Sequence, residues 1–167
     1  MRGEKLTFIV GGALLLWLLA SRSYSFGGPD KSGVSRDPSR LLPAFADRLE
    51  LLFARLRARG FDPMLHEGYR TPARAAELAR QKKGIVDSLH IYGAAADIVS
   101  KSTGWSNPAF FKALGQEAEA IGLTWGGRFA EVDSTHVQAV PGKFENALRA
   151  LAAPARDAYV ARSMRVA

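Results

Sequence analysis

The stretch Ser88-Leu89-His90-Ile91-Tyr92-Gly93-Ala94-Ala95-Ala96-Asp97 decides the fold predicted for this chain. It starts as a loop with an imidazole, passes a glycine and continues as a run of small apolar residues that ends in a carboxylate. Such an apolar run is typical of a buried strand, and glycine allows the backbone before it an unusual conformation or a close approach. We therefore expect His90, from the loop, and Asp97, from the strand, to point at one place.

A second stretch, Asp133-Ser134-Thr135-His136, supplies another imidazole and a free carboxylate. Residues three apart do not share one face of a regular strand, so we place Asp133 on a turn and His136 at the start of the next strand. His90, Asp97 and His136 then form a shell of two imidazoles and one carboxylate with an open position, which suits a catalytic zinc ion. Asp133, which is not needed as a ligand, suits a general base.

Arg70 lies in Glu67-Gly68-Tyr69-Arg70-Thr71, at a predicted strand-to-helix junction. An arginine there is suited to stabilise negative charge on an attacked carbonyl or to clamp a substrate carboxylate. Each residue alone also has a structural interpretation: a buried hydrogen-bonded histidine, a strand-end cap at Asp97, or a surface ion pair at Arg70. Trp125 is interpreted as a wall or core aromatic, and His66 has no assigned role.

Composition restricts the partners and the metal chemistry. The chain of 167 residues is most simply one domain with an appendage. It has no cysteine, which excludes disulfides and thiolate metal sites. The formal charge of +7 favours an anionic partner such as a membrane surface or a cell-wall polymer. Nucleic acid is not expected, because the arginines follow no known motif; a merely solvated basic face is the alternative.

Residues 6–21 are uncharged and mostly apolar, between Lys5 and Arg22. As a helix, such a segment reaches about 24 Å, short of the roughly 30 Å hydrocarbon core. Residues 1–22 are therefore predicted to be a signal peptide or an uncleaved signal anchor, with a buried core helix as the alternative. Residues 23–38, rich in Ser, Gly, Pro and charge, are predicted to be a linker, and residues 39–167 the folded domain.

Within that domain, apolar spacing and capping residues predict helices and strands in irregular alternation, which favours a small α+β fold. Helices are expected from Pro43 to Gly60, from Thr71-Pro72 to about Lys82, from Asn107-Pro108 to Ala120, and, as the last one, from Lys143 to Ala152. Strands are expected at 61–68, 94–99, 123–125 and 135–140, with a loop at 83–92.

Taken together, these motifs resemble the zinc D-Ala-D-Ala carboxypeptidase and L-alanyl-D-glutamate endopeptidase family, whose signature is Ser-x-His-x-x-Gly-x-Ala-x-Asp followed by an acidic residue three before a second histidine. The first motif is filled by Ser88, His90, Gly93, Ala95 and Asp97, and the second by Asp133 and His136. Residues 68–71 are similar to the family's upstream arginine motif, and residues 122–127 to its lead-in to the second histidine.

The resemblance implies a small central antiparallel sheet flanked by helices, a hedgehog or D-Ala-D-Ala metallopeptidase-like fold, here with an N-terminal hydrophobic helix. It implies one zinc ion on His90, Asp97 and His136, Asp133 as catalytic base, and Arg70 as substrate or oxyanion contact. Supporting or substrate-binding positions are Ser88, Tyr69 and Trp125. One departure is Ala75, where many relatives carry a glutamine about five residues after the motif arginine.

The expected function is hydrolysis of peptidoglycan stem peptides. An aspartate base and the Trp-Gly-Gly run at 125–127 are more similar to phage-type endopeptidases, which favours cleavage at L-Ala–D-Glu. A D,D-carboxypeptidase and a non-catalytic, metal-stabilised wall-binding module are the alternatives. Residues 6–21 are expected to export the domain or to anchor it at the inner membrane, facing the periplasm or cell wall and an anionic envelope surface. A phage-encoded protein with a signal anchor fits this arrangement.

Overall fold

A computed structural model describes residues 30–164 of the chain. Five α-helices lie in this range: α1 (Pro43–Ala58), α2 (Pro72–Arg80), α3 (Pro108–Ala120), α4 (Gly142–Ala150) and α5 (Ala153–Ser163). The strands are β1 (Val34–Ser35), β2 (Pro63–Glu67), β3 (Tyr69–Arg70), β4 (Ala95–Ser100), β5 (Thr124–Trp125) and β6 (His136–Gln138). Short 3-10 turns occupy Pro38–Arg40, Leu89–Tyr92 and Gly126–Arg128.

The main sheet has four strands in the order β2-β4-β6-β5, and every neighbouring pair is antiparallel. A second, two-stranded sheet pairs β1 with β3. The predicted α+β class and central antiparallel sheet are therefore confirmed. Because β4 and β6 are the inner strands, the two segments with the predicted ligands pair directly with each other.

Helix α1 shows how the apolar pattern produces the core. Its four buried side chains, Phe45, Leu49, Leu52 and Leu56, recur every three or four residues and form one stripe. This stripe packs against α3 and α5, and each fully buried Phe or Leu contributes about 1.5–3 kcal/mol of transfer free energy. The helix ends just before Gly60, whose φ of +83° is the left-handed conformation typical of a residue that follows a helix.

The predicted N-caps of α2 and α3 are confirmed. The Thr71 hydroxyl accepts a hydrogen bond from the backbone N–H of Arg74 at 3.2 Å. The Asn107 side-chain oxygen accepts one from Phe110 at 3.1 Å. Each cap is followed by a proline. Proline lacks a backbone N–H, but the N–H groups of the first helical turn have no acceptor within the helix, so no hydrogen bond is lost. These local signals are sufficient to start a helix, which is why the sequence locates them well.

Two predictions about element boundaries are wrong. Val34 and Ser35, at the end of the predicted linker, pair with β3 and belong to the fold, and a two-residue strand has no periodicity to reveal it. The helix predicted to be the last one is followed by α5, which starts at the Ala153-Pro154 signal and buries Val160. The predicted loop 83–92 contains the turn Leu89–Tyr92.

The predicted hydrophobic N-terminal segment, residues 6–21, and residues 23–29 of the predicted linker lie outside the described residues. Among residues 30–164, none of the helices combines the length and the apolar character needed to cross a bilayer.

Candidate metal centre

Asp97 and His136 are neighbours across the two inner strands. In the antiparallel register, Asp97 of β4 lies opposite His136 of β6, and Glu67 of β2 lies opposite Asp97 on the other side. Directly opposed side chains in such a ladder project from the same face at close distance. The sheet therefore places three polar side chains in one row, with the Asp97 carboxylate in the middle.

His90 reaches the same row from a short turn before β4. The Ser88 hydroxyl caps this turn by accepting a 3.4 Å hydrogen bond from the His90 N–H. Gly93 ends the turn at φ +66°, and a Cβ there would lie 2.7 Å from the carbonyl oxygen of Arg40. Only glycine meets both conditions without strain, so Gly93 allows the chain to turn sharply from His90 into the strand that carries Asp97.

Potential ligand atoms of His90, Asp97 and His136 all lie within 4.8 Å of one another. Asp97 Oδ1 is 3.5 Å from His90 Nε2 and 3.2 Å from His136 Nδ1. The two imidazole rings are 5.2 Å apart between centroids and meet edge to face. The structure thus brings the three predicted ligands together.

Each imidazole has a hydrogen-bond partner on its far side, and its other nitrogen faces Asp97. His90 Nδ1 lies 2.7 Å from the carbonyl oxygen of Gly68, which can only accept, so Nδ1 carries the proton and Nε2 has the lone pair. His136 Nε2 lies 3.1 Å from Gln138 Oε1, whereas its Nδ1 faces Asp97. Ligating histidines usually have such a partner on the second nitrogen.

The charges of the centre support one another. Burial opposes ionisation of Asp97, but the adjacent imidazoles of His90 and His136 outweigh it and hold the pKa of this carboxyl far below its ordinary value. For His136, burial opposes protonation, but the hydrogen bond and charge of Asp97, together with the charge of Asp133, raise the imidazole pKa above its ordinary value. The centre therefore holds a firmly anionic carboxylate that attracts positive charge.

Two imidazole nitrogens and one carboxylate oxygen are a donor set that zinc accepts in catalytic sites, where a fourth position stays open. The described residues fit this ion in three respects: the ligand types, the mutual approach of the donor atoms, and the partner on the second nitrogen of each histidine.

Arg70 lines the same cleft and is held there by ion pairs. Its Nε donates to Glu67 Oε1, and its Nη2 lies 3.8 Å from Asp97 Oδ2. The Arg70 side chain is only 8 % exposed and that of Glu67 12 %. The remaining nitrogen, Nη1, lies 3.6 Å from the position that a Cβ on Gly84 would occupy. Arg70 is therefore a buried, ion-paired residue with one nitrogen uncommitted among the described residues.

Asp133 lies on the loop before β6, as predicted, and its side chain is exposed to the cleft. Its Oδ1 accepts hydrogen bonds from the Thr135 N–H at 3.2 Å and the Thr135 hydroxyl at 2.9 Å. Oδ2 has no partner in the described part of the chain. The backbone of Asp133 is pressed against Gly126, where a Cβ would lie 2.5 Å from the Asp133 carbonyl oxygen. The carboxylate is thus positioned by its own loop and by a glycine.

The cleft that contains these groups has a volume of about 490 Å³. Lys82, Lys83 and Ile85 line it from the segment after α2, and Phe129 and Val132 line it from the loop after β5. Ile85 and Val132 are largely exposed, at 58 % and 69 %. The rim therefore combines cations with apolar side chains, and Glu131 adds an acidic group to it.

The remaining predicted residues lie around the centre. Ser88 lines the cleft and caps the His90 turn. Tyr69 is not among the cleft-lining residues, and its ring is covered by the Arg40 guanidinium at 4.4 Å. Trp125 also lies outside the cleft lining, where its Nε1 donates to the Ser134 carbonyl at 2.9 Å and supports the Asp133 loop. His66 packs edge to face with Trp105.

Two further side chains of the centre, Glu67 and Gln138, were not predicted from the sequence. Glu67 is the buried partner of Arg70, and Gln138 is the partner of His136. One signal was available for Gln138: two residues after His136 on a strand, it must share the face of that ligand. No comparable local signal marks Glu67, because a bulge in the β2–β4 pairing precedes it.

Comparisons with known proteins agree with the motifs. Residues 81–139 match the sequence model of a family described as D-alanyl-D-alanine carboxypeptidase. This stretch contains His90, Asp97, Asp133 and His136, whereas Arg70 precedes it. No curated protein matches the chain as a whole.

Three solved structures are similar to the chain. The Serratia marcescens L-Ala D-Glu endopeptidase ChiX is 26% identical with a TM-score of 0.46, over 64% of this chain and 80% of that one. The vancomycin-resistance D,D-pentapeptidase VanY from a VanB-type cassette, solved with Zn(II), is 17% identical with a TM-score of 0.48, over 65% and 78%. The LD-carboxypeptidase LdcB is 21% identical with a TM-score of 0.46, over 65% and 63%.

Proposed function

We propose that this chain is a member of the D-Ala-D-Ala metallopeptidase family, whose sequence model residues 81–139 match, and that it uses one zinc ion to hydrolyse the peptide stem of peptidoglycan. The observation that carries the proposal is the convergence of two imidazoles and a carboxylate beside the unpaired oxygen of Asp133 in one cleft. Metal ligands with a free carboxylate beside them are the parts that metal-assisted hydrolysis of an amide requires.

His90 Nε2, Asp97 and His136 Nδ1 would hold the ion. A bound zinc ion supplies Lewis acidity, which makes water a nucleophile near neutral pH. Because Oδ1 of Asp133 is occupied by Thr135, Oδ2 is the atom that takes the proton from the attacking water. The same oxygen then delivers that proton to the leaving amine nitrogen as the C–N bond breaks.

Arg70 contributes positive charge at the wall of the cleft. Its Nε and Nη2 are directed to Glu67 and Asp97, so only Nη1 remains for a carbonyl oxygen or a carboxylate of the substrate. The ion pair with Glu67 restricts the guanidinium to one orientation before substrate binds, which reduces the reorganisation required in the reaction. Lys82 and Lys83 add cations on the same side of the cleft.

The bond we propose is L-Ala–D-Glu. The support is the similarity of this sequence to phage-type endopeptidases, in the aspartate at the base position and the Trp-Gly-Gly run at 125–127. The description of the matching family favours a second candidate, removal of a terminal D-alanine. A wall-binding module without catalysis is the third, and the unpaired Asp133 oxygen argues against it, because a binding module has no use for a base.

One experiment separates these candidates. Purified protein supplied with zinc is incubated with peptidoglycan, and the fragments are identified by mass spectrometry. New N-terminal D-Glu identifies the endopeptidase, and release of D-alanine alone identifies the carboxypeptidase. Intact stems, at a zinc occupancy of one ion per chain, would refute the enzymatic proposal. Asp133→Asn is the matched control, since it retains the size of the side chain and removes the base.

We also propose that residues 1–22 export the domain or anchor it at the inner membrane through residues 6–21, so that it works in the periplasm or cell wall. The support is the charged start and apolar run of that segment, together with the net charge of +7, which favours an anionic envelope surface. N-terminal sequencing of the mature protein distinguishes a cleaved signal from a retained anchor. A phage endolysin would use such an anchor.

A further inference from the structure

Gln138 is a buried amide, 3 % exposed, whose hydrogen bonds determine its orientation. Its Nε2 donates to the Val140 carbonyl at 2.6 Å and to Glu145 Oε1 at 2.8 Å. A carbonyl and a carboxylate only accept, so the amide nitrogen has to face them. The amide oxygen is consequently turned towards His136, where it lies 3.1 Å from Nε2.

Both ring nitrogens of His136 face hydrogen-bond acceptors. Nδ1 lies 3.2 Å from Asp97 Oδ1, and Nε2 lies 3.1 Å from the Gln138 amide oxygen. A metal ion on Nδ1 would take the lone pair of that nitrogen, so the ring proton would lie on Nε2, where the Gln138 oxygen accepts it. An amide nitrogen turned towards His136 would instead place a second donor against this N–H.

Helix α4 holds the amide in place. Glu145 Oε2 accepts a hydrogen bond from Arg149 Nη2 at 2.7 Å, which leaves Oε1 for Gln138. Arg149 Nε in turn donates to the Asp87 carbonyl at 3.0 Å and lies 3.2 Å from Asp87 Oδ2. Asp87 directly precedes Ser88, the cap of the turn with His90. One chain of contacts thus connects the two ligand-bearing segments through α4.

We propose that Gln138 is a positioning residue for His136, and that the Glu145–Arg149 pair of α4 sets Gln138 so that the imidazole is ready to bind zinc. The inference rests on the zinc site of the proposed function, although not on which bond is cleaved. The competing explanation is that Gln138 only satisfies Val140 and Glu145 and stabilises the fold.

Zinc affinity tests the proposal without any substrate. The dissociation constant of zinc is measured by competition with a chromogenic chelator for the wild type, Gln138→Leu and Glu145→Ala. Loss of such a partner weakens metal binding by about 10–100-fold, which we expect for Gln138→Leu. Glu145→Ala leaves the hydrogen bond between Gln138 and Val140 in place, so its zinc affinity should fall by less than about tenfold. Gln116→Leu is the control, because Gln116 is exposed on α3 and accepts from Arg59.

The zinc dissociation constant and the melting temperature together separate positioning from mere stability. In the zinc-loaded wild type, nitrogen NMR should show His136 protonated on Nε2, with Nδ1 as the ligand. In Gln138→Leu we expect the folded protein to bind zinc more weakly, whereas a stabilising role alone would lower the melting temperature and leave the zinc dissociation constant unchanged.

Unchanged zinc dissociation constants in folded Gln138→Leu and Glu145→Ala would overturn the proposal, and so would zinc ligation through Nε2 of His136 in the wild type. If Gln138→Leu does not fold, Glu145→Ala decides, since Glu145 is only half-buried. A wild type that binds no zinc refutes the proposed function together with this inference, whereas unchanged constants in the variants refute this inference alone.

Discussion

Replacing Arg70 with methionine separates its structural role from its role towards substrate. The Arg70 and Glu67 side chains are 8 % and 12 % exposed and form an ion pair, with Asp97 Oδ2 3.8 Å from the same guanidinium. Methionine fills a similar volume without the charge. Glu67 is then left buried without its partner, and Asp97 loses one of its positive neighbours.

The loss of stability expected for Arg70→Met follows from the burial of this ion pair. Removing one member of a buried ion pair costs about 3–5 kcal/mol, because the remaining charge is not solvated. That is a large share of a total stability of about 5–15 kcal/mol. At roughly 3 °C per kcal/mol for a domain of this size, the melting temperature should fall by about 10–15 °C. The double variant Arg70→Met/Glu67→Gln also removes the stranded charge and should recover most of this loss.

The assay combines thermal unfolding of the zinc-loaded protein with hydrolysis of peptidoglycan stems. If Arg70 contacts substrate, the double variant regains stability but remains at least about 100-fold slower. Arg128→Met is the matched control: Arg128 is 71 % exposed in its pair with Glu119, so the change should leave the melting temperature nearly unchanged. A single variant as stable as the wild type would refute the structural reasoning. Full activity in the double variant would refute the substrate contact.

Three further predictions concern the base, the turn before β4 and pH. Asp133→Asn should retain zinc, measured by metal analysis, and lose about 10²–10⁴-fold in turnover; loss of zinc would instead make Asp133 a ligand. Gly60→Ala, at φ +83° with open space around it, should cost about 1–2 kcal/mol in urea unfolding. In Gly93→Ala, the residue has a φ of +66° and the added Cβ would lie 2.7 Å from a backbone oxygen. This change should lower the free energy of unfolding by more than Gly60→Ala does, and it should also weaken zinc binding. An equal loss of stability in the two variants would show that the crowding is relieved. In the zinc-free protein, the raised pKa of His136 adds stability that is present below its ordinary pKa of 6.5 and is lost as pH rises through the folded value. The lowered pKa of Asp97 adds stability that is present above its ordinary pKa of 3.8 and is lost as pH falls. The free energy of unfolding should therefore be highest between these two values, and a flat profile from about pH 5 to 9 would contradict the assignment of His136.

Elements with a local cause are the ones that the sequence predicts well. The apolar stripe from Phe45 to Leu56 identifies α1, and the Thr71 and Asn107 caps locate the starts of α2 and α3. An apolar stripe of this kind is stable only when it is buried against the rest of the core, and a capping residue accepts a hydrogen bond from a residue at most three positions away. Both signals can therefore be recognised from neighbouring residues alone.

The candidate site also contains some residues that the sequence predicts and others that it does not. Residue type and spacing suggest His90, Asp97, Asp133 and His136, because few residue types bind zinc or move protons. Each of them alone also has a structural interpretation, so it is the resemblance of the two motifs to a known family that singles them out. The sequence also predicts a strand start at His136 and a turn at Asp133. It does not predict that Arg70 is neutralised by Glu67, since that pair depends on a strand bulge and on burial from both sides.

What the sequence by itself determined is the α+β class, the residues proposed as metal donors and the apolar N-terminal segment; the roles of the donors and of the segment stay predictions. Only the tertiary structure decided which nitrogen of each histidine faces Asp97, that Gln138 and α4 lie beside His136, and that β1 and α5 complete the domain. The physical reason is the range of the interactions. Helical stripes and caps act over a few residues, whereas a hydrogen bond from His90 to Gly68, or from Arg149 to Asp87, exists only after distant segments have packed.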